Sequence, residues 1–328
     1  MTKKRVLSGI RATGRLHLGN YLGAVKGMLA LQENPEYETF YMVADLHTLT
    51  TPYEPKNLRQ DVREVILDYL AAGLDPEKST IFVQSQVPEH IELAYLFSTA
   101  VSIARMQHLP TYKDKVKQYP QHNTMALLYY PVLMAADILI YKADAVPVGV
   151  DQEPHLEVTR EIARKVNSEF GTDFPEPKRF ETEGGYVPSL TGEGKMAKTV
   201  YGSSIFLTDS LEEIKQKLSK TPTDFGKGEV VPEKGGVATL LALVELFEGK
   251  DKRKKYEERY LGEGIRYSEL KEGLAGAIYK EIEPIQRRRK TFEDNPILVD
   301  KILKEGAERA RKVARVVLDE TKKAMGLI

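Results

Sequence analysis

The sequence predicts an α/β fold in which a doubly wound parallel sheet is followed by an all-helical domain. Short β-type runs alternate with amphipathic helical patterns through the first half of the chain. A passage rich in Gly, Ser and Thr follows at 189–204, and from Asp209 onward Leu, Glu, Lys and Arg recur at helical spacing. Strands that alternate with helices favour parallel βαβ units, whose ligands bind at the carboxyl ends of the strands.

The first half contains three predicted strands and two predicted helices. "RVLSGI" (5–10) is the first strand, and a Gly-containing loop leads from it to a helix that begins at about Tyr21. The second strand covers 39–47, and 57–73 has the apolar periodicity of a helix. The third strand, 79–86, is entered through the turn-forming "GLDPEK".

The second half is predicted to be helical throughout. Ser210 followed by Glu213 is a capping-box pattern that starts the first helix there. Two further helical segments cover 237–248 and 267–290, and a last helix runs from about Asn295 to Met325. The predicted organisation is a catalytic domain (1–190), a mobile loop (191–206), a helical domain (207–300) and a C-terminal helix (301–328) that packs back toward the catalytic domain.

Composition narrows the function classes. The chain of 328 residues has 48 Lys plus Arg against 48 Asp plus Glu, so no overall charge favours DNA or a membrane surface as a partner. It has no Cys, which excludes disulfides, thiolate metal sites and iron–sulfur clusters. We expect a cytoplasmic protein, since the amino terminus lacks a signal-peptide pattern and the apolar passage 126–141 is interrupted by Pro131 and Asp137.

The loop after the first strand is a candidate phosphate site. It contains several glycines and leads into a helix amino terminus, where backbone N–H groups and the helix dipole favour an anion. Within it, "HLGN" places His17 and Asn20 on either side of Gly19. Taken alone, the string is better explained by a turn histidine and a helix-capping asparagine, Asn20.

A second candidate is "GKMAKT" (194–199), in which Lys195 and Lys198 lie three residues apart. Two ammonium groups on a loop suit a pyrophosphate leaving group, on which charge develops in the transition state. A solvated basic loop is the alternative.

The pairing of these strings resembles the HIGH and KMSKS motifs of class I aminoacyl-tRNA synthetases. Asn20 replaces the final His of the first motif, and Ala197 and Thr199 replace the two serines of the second. "VPVGVDQEPHLEVTREIARKVN" (146–167) is similar to the GxDQxxHxExTR segment of the tyrosyl and tryptophanyl branch. The resemblance covers essentially the whole chain. It implies a Rossmann-type catalytic domain, a helical anticodon-recognition domain, a homodimer, ATP with Mg²⁺ as co-substrate and tRNA as partner.

The same resemblance favours tryptophan over tyrosine. "YYPVLMAADILIY" (129–141) looks like the tryptophanyl pattern, in which the Asp of "MAADIL", here Asp137, accepts the indole N–H. An indole nitrogen can only donate, so its pocket needs a buried acceptor. Asp137 satisfied by backbone N–H groups is the alternative. Three other functions stay open at this point: a tyrosyl enzyme, an HxGH-type nucleotidyltransferase and a tRNA-binding protein without activity.

The resemblance also implies roles for individual residues. Catalytic roles fall on His17, Asn20, Lys195 and Lys198. ATP contacts fall on Arg11, Thr13, Gly19, Asn20, Lys115, Gly149, Asp151, Lys195, Met196 and Lys198. Tryptophan contacts fall on Leu7, Gly9, His47, Tyr130, Met134, Asp137, Ile138, Val148 and Gln152. No metal held by the protein is expected. Arg11 stands where many bacterial members have Gln, and Lys115 is also explained as an ordinary surface lysine.

Two basic clusters of the helical half, 250–260 and 286–290, are candidate contacts for the tRNA backbone. A solvated helix face explains either cluster equally well.

Overall fold

The computed structural model describes residues 3–180, 186–198 and 200–328. Its sheet consists of five parallel strands in the order β3-β2-β1-β4-β5. The strands are β1 (Lys4–Arg11), β2 (Tyr37–Ala44), β3 (Ser79–Val83), β4 (Ala145–Pro147) and β5 (Lys178–Phe180). Chain order reverses between β1 and β4, which places a ligand crevice beyond the carboxyl ends of those two strands.

The helices number thirteen in the described part of the chain. They are α1 (Leu18–Asn20), α2 (Lys26–Glu33), α3 (Pro55–Ala72), α4 (Glu89–Phe97), α5 (Ile103–Gln107), α6 (Pro110–Gln118), α7 (Met125–Leu139), α8 (Glu153–Phe170), α9 (Leu211–Ser219), α10 (Gly235–Glu248), α11 (Lys250–Leu261), α12 (Tyr267–Glu293) and α13 (Pro296–Ala324). A π turn, Tyr21–Val25, joins α1 to α2. None of the described helices combines the length and apolarity that a membrane crossing requires.

Two apolar cores cover the two faces of the sheet. Tyr41 and Val43 belong to one core, with the inner faces of α3, α9, α10 and α12. Phe40 and Met42 belong to the other, with α4, α7, α8 and the second half of α13. Successive side chains of a strand point to opposite faces, so this alternation shows helices packed on both sides of the sheet. The predicted doubly wound α/β fold is confirmed, and every regular element from Leu211 onward is a helix.

Several element boundaries differ from the prediction. β4 and β5 were not predicted, because runs of three residues are too short to show a strand pattern. The second predicted strand extended to His47, but β2 ends at Ala44, where the Asp45 side chain accepts from Leu46 N and starts a 3₁₀ turn. The capping box at Ser210 is confirmed.

Only part of the second basic cluster is used inside the protein. Arg288 donates to the carbonyl of Ala71 at 2.6 Å, and Arg289 is buried and pairs with Glu64 and Asp68 of α3. Both side chains join α12 to α3, but only Arg289 is buried, and Arg288 is exposed like Arg287 and Lys290. The two roles considered for the cluster stay predictions for its exposed residues.

The last helix is held closely against the sheet. α13 packs on β3 and α4, and a Cβ built on Gly306 would lie 1.8 Å from the carbonyl oxygen of Ile81. Only glycine allows the helix backbone to approach the strand this closely. The predicted boundary after residue 300 falls inside α13, and the domain ranges stay predictions.

We predict that Gly306→Ala lowers the free energy of unfolding by roughly 1–3 kcal/mol, because α13 must move away from β3 to admit the methyl group. Gly276→Ala is the matched control, since Gly276 is also helical but exposed with no atom near its built Cβ. It should stabilise the protein by about 0.5–1 kcal/mol. Thermal and denaturant unfolding measure both changes, and equal stabilities would contradict the close packing of α13.

Candidate active site

A cavity of about 310 Å³ opens at the carboxyl ends of the central strands. Its walls come from β1, β2, β4 and α7, and they are mostly apolar. The apolar lining residues are Leu7, Met42, Ala44, Leu127, Met134, Ile138, Val146 and Val148. A largely apolar cavity with a few convergent polar groups is typical of a small-molecule site.

Asp137 supplies the carboxylate of this cavity, and three side chains hold it. Asp137 is 0 % exposed, although it is a charged residue on the otherwise apolar helix α7. His47 Nε2 lies 2.8 Å from Oδ2, His90 Nδ1 lies 2.6 Å from Oδ1, and the Gln84 amide donates to both oxygens at 2.9 Å. The alternative of satisfaction by backbone N–H groups is therefore wrong.

The charge of Asp137 is maintained by these contacts. Burial would raise the pKa of its carboxyl group, but the hydrogen bonds from His47 and His90 outweigh burial and lower the pKa to about 2. An ionised carboxylate has about four lone-pair positions. Three groups make four contacts with these positions, and the single Gln84 nitrogen is shared between both oxygens. A further donor can therefore bind where Gln84 keeps only one of its two contacts.

His90 is oriented from behind by Tyr141. Both side chains are fully buried, and His90 Nε2 lies 2.6 Å from the Tyr141 hydroxyl. Burial, followed by the negative charges of Asp137 and Glu89, raises the pKa of Tyr141 well above its ordinary value, so the phenol keeps its proton and donates it. His90 Nδ1–H is then directed at Asp137.

A second polar cluster lines the cavity beside Gln152. The Tyr130 hydroxyl lies 2.6 Å from His155 Nε2, and Thr111 Oγ1 lies 2.9 Å from the same nitrogen. Burial lowers the pKa of His155 to about 4, so this histidine is neutral at physiological pH. These three side chains add hydrogen-bond donors and acceptors to the cavity, and none of them adds a charge.

Two cations stand at the same cavity. Arg11 donates through Nη2 to Thr51 Oγ1 at 2.6 Å, while its buried Nε has no hydrogen-bond partner. Lys115 also lines the cavity, and burial followed by repulsion from Arg11 lowers its pKa. Two neighbouring cations form an electropositive end of the cavity that suits an anionic group.

The "HLGN" segment forms a reciprocal cap at the start of α1. His17 Nδ1 accepts from Asn20 N, and the Asn20 side chain accepts from His17 N, both at 3.3 Å. A helix cap is thus present, as the turn interpretation expects, but the capping residue is His17 and Asn20 is its partner at the third helical position. A Cβ on Gly19 would lie 2.8 Å from His17 Cε1, so glycine is needed for the chain to pass this ring.

The helix cap determines which ring nitrogen of His17 carries the proton. Burial, with repulsion from Lys198, lowers the pKa of His17 to about 4. The neutral ring accepts at Nδ1, so its proton lies on Nε2. His17 can therefore donate a hydrogen bond to a phosphate oxygen without carrying charge.

The "KMAKT" segment spans the crevice between β1 and β4. Lys198 Nζ donates to the carbonyls of Thr13 and Gly14, beyond β1, at 3.1 and 2.7 Å. On the other side, Lys195 Nζ lies 3.7 Å from Asp151, beyond β4. Met196 is buried between these lysines and approaches Gly19. Two ammonium groups thus lie one on each side of the point where strand order reverses.

Three comparisons with known proteins agree with this geometry. Residues 2–282 match the family model described as "tRNA synthetases class I (W and Y)". The chain is 39 % identical to the tryptophan–tRNA ligase of Porphyromonas gingivalis over 98 % of each chain, and 40 % identical to that of Helicobacter pylori over the full length of both. It also resembles the tryptophanyl-tRNA synthetase of Campylobacter jejuni complexed with ADP and tryptophan, with a TM-score of 0.85 and 32 % identity over 98 % of this chain and 100 % of that chain.

The chain belongs to the class I tRNA synthetase family of the tryptophan and tyrosine enzymes. The resemblance of its motifs to this family is confirmed. All nine residues predicted to contact tryptophan line the one cavity. Among the predicted ATP contacts, Arg11 and Lys115 line it too, while the others do not line it and lie on the segments that follow β1 and β4 or within 195–198. Thr199 lies outside the described residues.

Several polar groups that line or support the cavity of this synthetase were not predicted from the sequence. Gln84 and His90 contact Asp137, and Tyr141 contacts His90. No quoted motif contains Gln84 or His90, whereas Tyr141 is the last residue of the quoted segment 129–141. His155 is the histidine of the quoted GxDQxxHxExTR segment, so the motif did carry a signal for it. Within the described residues, no group of three His, Asp or Glu side chains could hold a metal ion.

We predict that Lys198 produces an alkaline limb in the ATP reaction of this synthetase. Burial lowers the pKa of Lys198 to about 8, against the attraction of Asp68 and Asp61, so its charge is present below that pH and lost above it. The kcat/KM for ATP should fall as pH rises through about 8, since this ratio reports the free enzyme.

Lys198→Arg should move this limb to higher pH, because a guanidinium keeps its charge. The same substitution at exposed Lys195 should leave the limb in place, and an unchanged limb in Lys198→Arg would contradict the assignment. Lys198→Ala should lower the activation rate with little change in tryptophan affinity, as measured by exchange kinetics and direct binding.

We predict that Asp137→Asn weakens tryptophan binding about 10- to 100-fold. The new amide N–H₂ group would face the side-chain donors of His47, Gln84 and His90, which would have lost an acceptor. Tryptophan fluorescence measures the affinity directly, since the chain itself contains no Trp. The control is Asp173→Asn, which removes an exposed carboxylate paired with Lys142. Equal affinities of the wild type and Asp137→Asn would contradict the role of this carboxylate.

Proposed function

We propose that the protein is a tryptophan–tRNA ligase. It activates L-tryptophan with ATP to tryptophanyl-adenylate and transfers the tryptophanyl group to the 3′-terminal adenosine of tRNA(Trp). The observation that carries the proposal is Asp137, an ionised and fully buried acceptor with capacity for one more donor at an apolar cavity. The indole N–H is such a donor, and the relatives named as tryptophan–tRNA ligases support the same amino acid.

Orientation in the cavity follows from its charge distribution. The indole ring packs between Met134, Ile138 and Val148, with its N–H directed at Asp137. The ammonium and carboxylate groups face the polar end, near Gln152 and the cationic side chain of Arg11. A carboxylate is already a competent nucleophile at neutral pH, so this step needs no general base.

In the first step a carboxylate oxygen of tryptophan attacks the α-phosphorus of ATP. The bond from that phosphorus to the bridging oxygen of the β-phosphate breaks, and pyrophosphate leaves with the electron pair. Lys195 and Lys198 neutralise the charge that develops on the leaving group, while His17 donates from Nε2 to a phosphate oxygen. Because these groups act by position and charge, most of their effect should appear in the transition state.

The proposed Mg²⁺ belongs to the ATP co-substrate. A magnesium ion commonly binds through substrate phosphates and waters with few protein ligands. Within the described residues no protein cluster suited to a metal ion is found, which is compatible with that arrangement.

Recognition of tRNA is assigned to the helical half of the chain. Lys250, Lys252, Lys254 and Lys255 are exposed on α11 and belong to the first basic cluster. Such a cluster can neutralise backbone phosphates, and its contribution should weaken with added salt. Cytoplasmic location likewise stays a proposal.

A homodimer is proposed from an exposed apolar patch on α4, α5 and α7. Ile91, Tyr95, Ile103 and Met125 are each more than half exposed, and these helices pack against one another. Contiguous exposed apolar surface marks an interaction site. We therefore place the dimer contact on this patch.

We predict that Tyr95→Glu converts the dimer to a monomer, because a charge in the centre of an apolar contact would be desolvated. Light scattering after gel filtration measures the mass. Ile297→Glu is the control, since Ile297 is 80 % exposed at the start of α13, away from the patch. A Tyr95→Glu variant with the same mass as a dimeric wild type would contradict this placement.

The proposed activity is tested by ATP–pyrophosphate exchange with each of the twenty amino acids, followed by charging of tRNA(Trp). We expect tryptophan alone to support exchange at low concentration. Exchange with tyrosine and not tryptophan would establish the tyrosyl alternative. Binding of tRNA without any exchange would establish a protein that lacks the activity.

A further inference from the structure

The α12 side chains Gln286 and Arg289 hold the loop that carries His17. They lie three residues apart on one helix face, and both reach the catalytic half of the chain. Neither lines the cavity described above. Sequence analysis grouped them in a basic cluster, and the proposed function leaves them without a role.

Arg289 acts on this loop through a buried carboxylate. It is 4 % exposed and pairs with Asp68, which is 0 % exposed, and with Glu64. The other oxygen of Asp68 accepts the backbone N–H of Leu16 at 2.6 Å. An uncompensated carboxylate at this depth would be strongly unfavourable, so the position of Asp68 depends on the guanidinium.

Gln286 acts on the Leu16 backbone through the segment that contains Leu207. Its amide donates to the carbonyl oxygens of Leu207 and Asp209 at 2.8 and 2.9 Å. Leu207 N in turn donates to the carbonyl of Leu16 at 3.0 Å. Both backbone groups of Leu16 are thus bound by partners that α12 anchors.

Leu16 directly precedes His17, whose ring is positioned by the cap at the start of α1. A displacement of the Leu16 backbone therefore moves the His17 donor and the helix amino terminus together. Asp68 also attracts Lys198 electrostatically, so the same carboxylate affects both motifs. Errors in position of about 1 Å at such a site can lower a rate about 100-fold, even when they arise far from the chemistry.

We propose that Gln286 and Arg289 are positioning residues for the ATP step, which they serve by holding Leu16 and thereby His17. They touch neither ATP nor tryptophan. The inference rests on the ATP role proposed for the His17 loop, and it adds a requirement for contacts made by the helical domain.

The test compares Arg289→Gln, Gln286→Ala and the control Arg287→Gln. Arg287 lies between them on α12 but is exposed and pairs only with Glu283 among the described contacts. Exchange kinetics give kcat and KM for each substrate, and tryptophan fluorescence gives the affinity separately. We expect kcat/KM for ATP to fall about 10- to 100-fold in the first two variants, with tryptophan affinity and the control unchanged.

A double variant, Asp68→Asn with Arg289→Gln, adds a rescue. It leaves no buried charge without a partner, and the Asn oxygen can still accept from Leu16 N. We expect it to recover part of the loss seen in Arg289→Gln.

Unchanged ATP kinetics in folded Arg289→Gln would overturn the proposal, and so would equal losses for ATP and tryptophan, which would indicate general destabilisation. If Arg289→Gln does not fold, the Gln286→Ala variant decides, because it removes only the two hydrogen bonds to Leu207 and Asp209. Normal ATP kinetics in Gln286→Ala would overturn the proposal. A wild type without tryptophan-dependent exchange would instead contradict the proposed function, which is a separate outcome.

Discussion

Asp137 has no contact with solvent, so its carboxylate must find every hydrogen-bond partner within the protein or its ligand. Gln84, His47 and His90 meet most of this requirement, and Tyr141 orients His90. The arrangement maintains one ionised acceptor at an otherwise apolar cavity. In the proposed function, a substrate is selected by its ability to donate one hydrogen bond to this acceptor.

The reversal of strand order provides the second half of the site. The segments beyond β1 and β4 diverge there, and "KMAKT" crosses the gap with Lys198 on Thr13 and Lys195 near Asp151. The cavity proposed for the amino acid and the loops proposed for the phosphates thus meet at one edge of the sheet. α12 contacts this edge from the helical half, so both halves of the chain hold the loop proposed to bind ATP.

Much of this organisation could be predicted from the sequence, because long periodic segments and linear motifs are local properties. The first three strands and the capping box at Ser210 followed from such patterns. The nine predicted tryptophan contacts, which all line the cavity, followed from the resemblance of the motifs to the synthetase family. Strands β4 and β5 did not, since a run of three residues is held by its neighbours in the sheet and has no pattern of its own.

The supporting contacts were hidden for a different reason. Gln84 and His90 lie 53 and 47 residues from Asp137 along the chain, and only the tertiary fold brings them together. Arg288 and Arg289 were grouped in a charge run, because sequence alone does not show that Asp68 and Glu64 of α3 pair with Arg289 or that the Ala71 carbonyl accepts from Arg288. A run of cations is solvated or buried according to its neighbours in space.

The central claim is that the acceptor capacity of Asp137 is reserved for the indole N–H. The most direct measurement compares the dissociation constant of tryptophan with that of an analogue in which sulfur replaces the N–H of the ring. The shapes are similar, but the analogue donates nothing to Asp137. We predict that the analogue binds about 10- to 100-fold more weakly, the cost of one unpaired buried acceptor. Equal affinity for the two ligands would contradict the account.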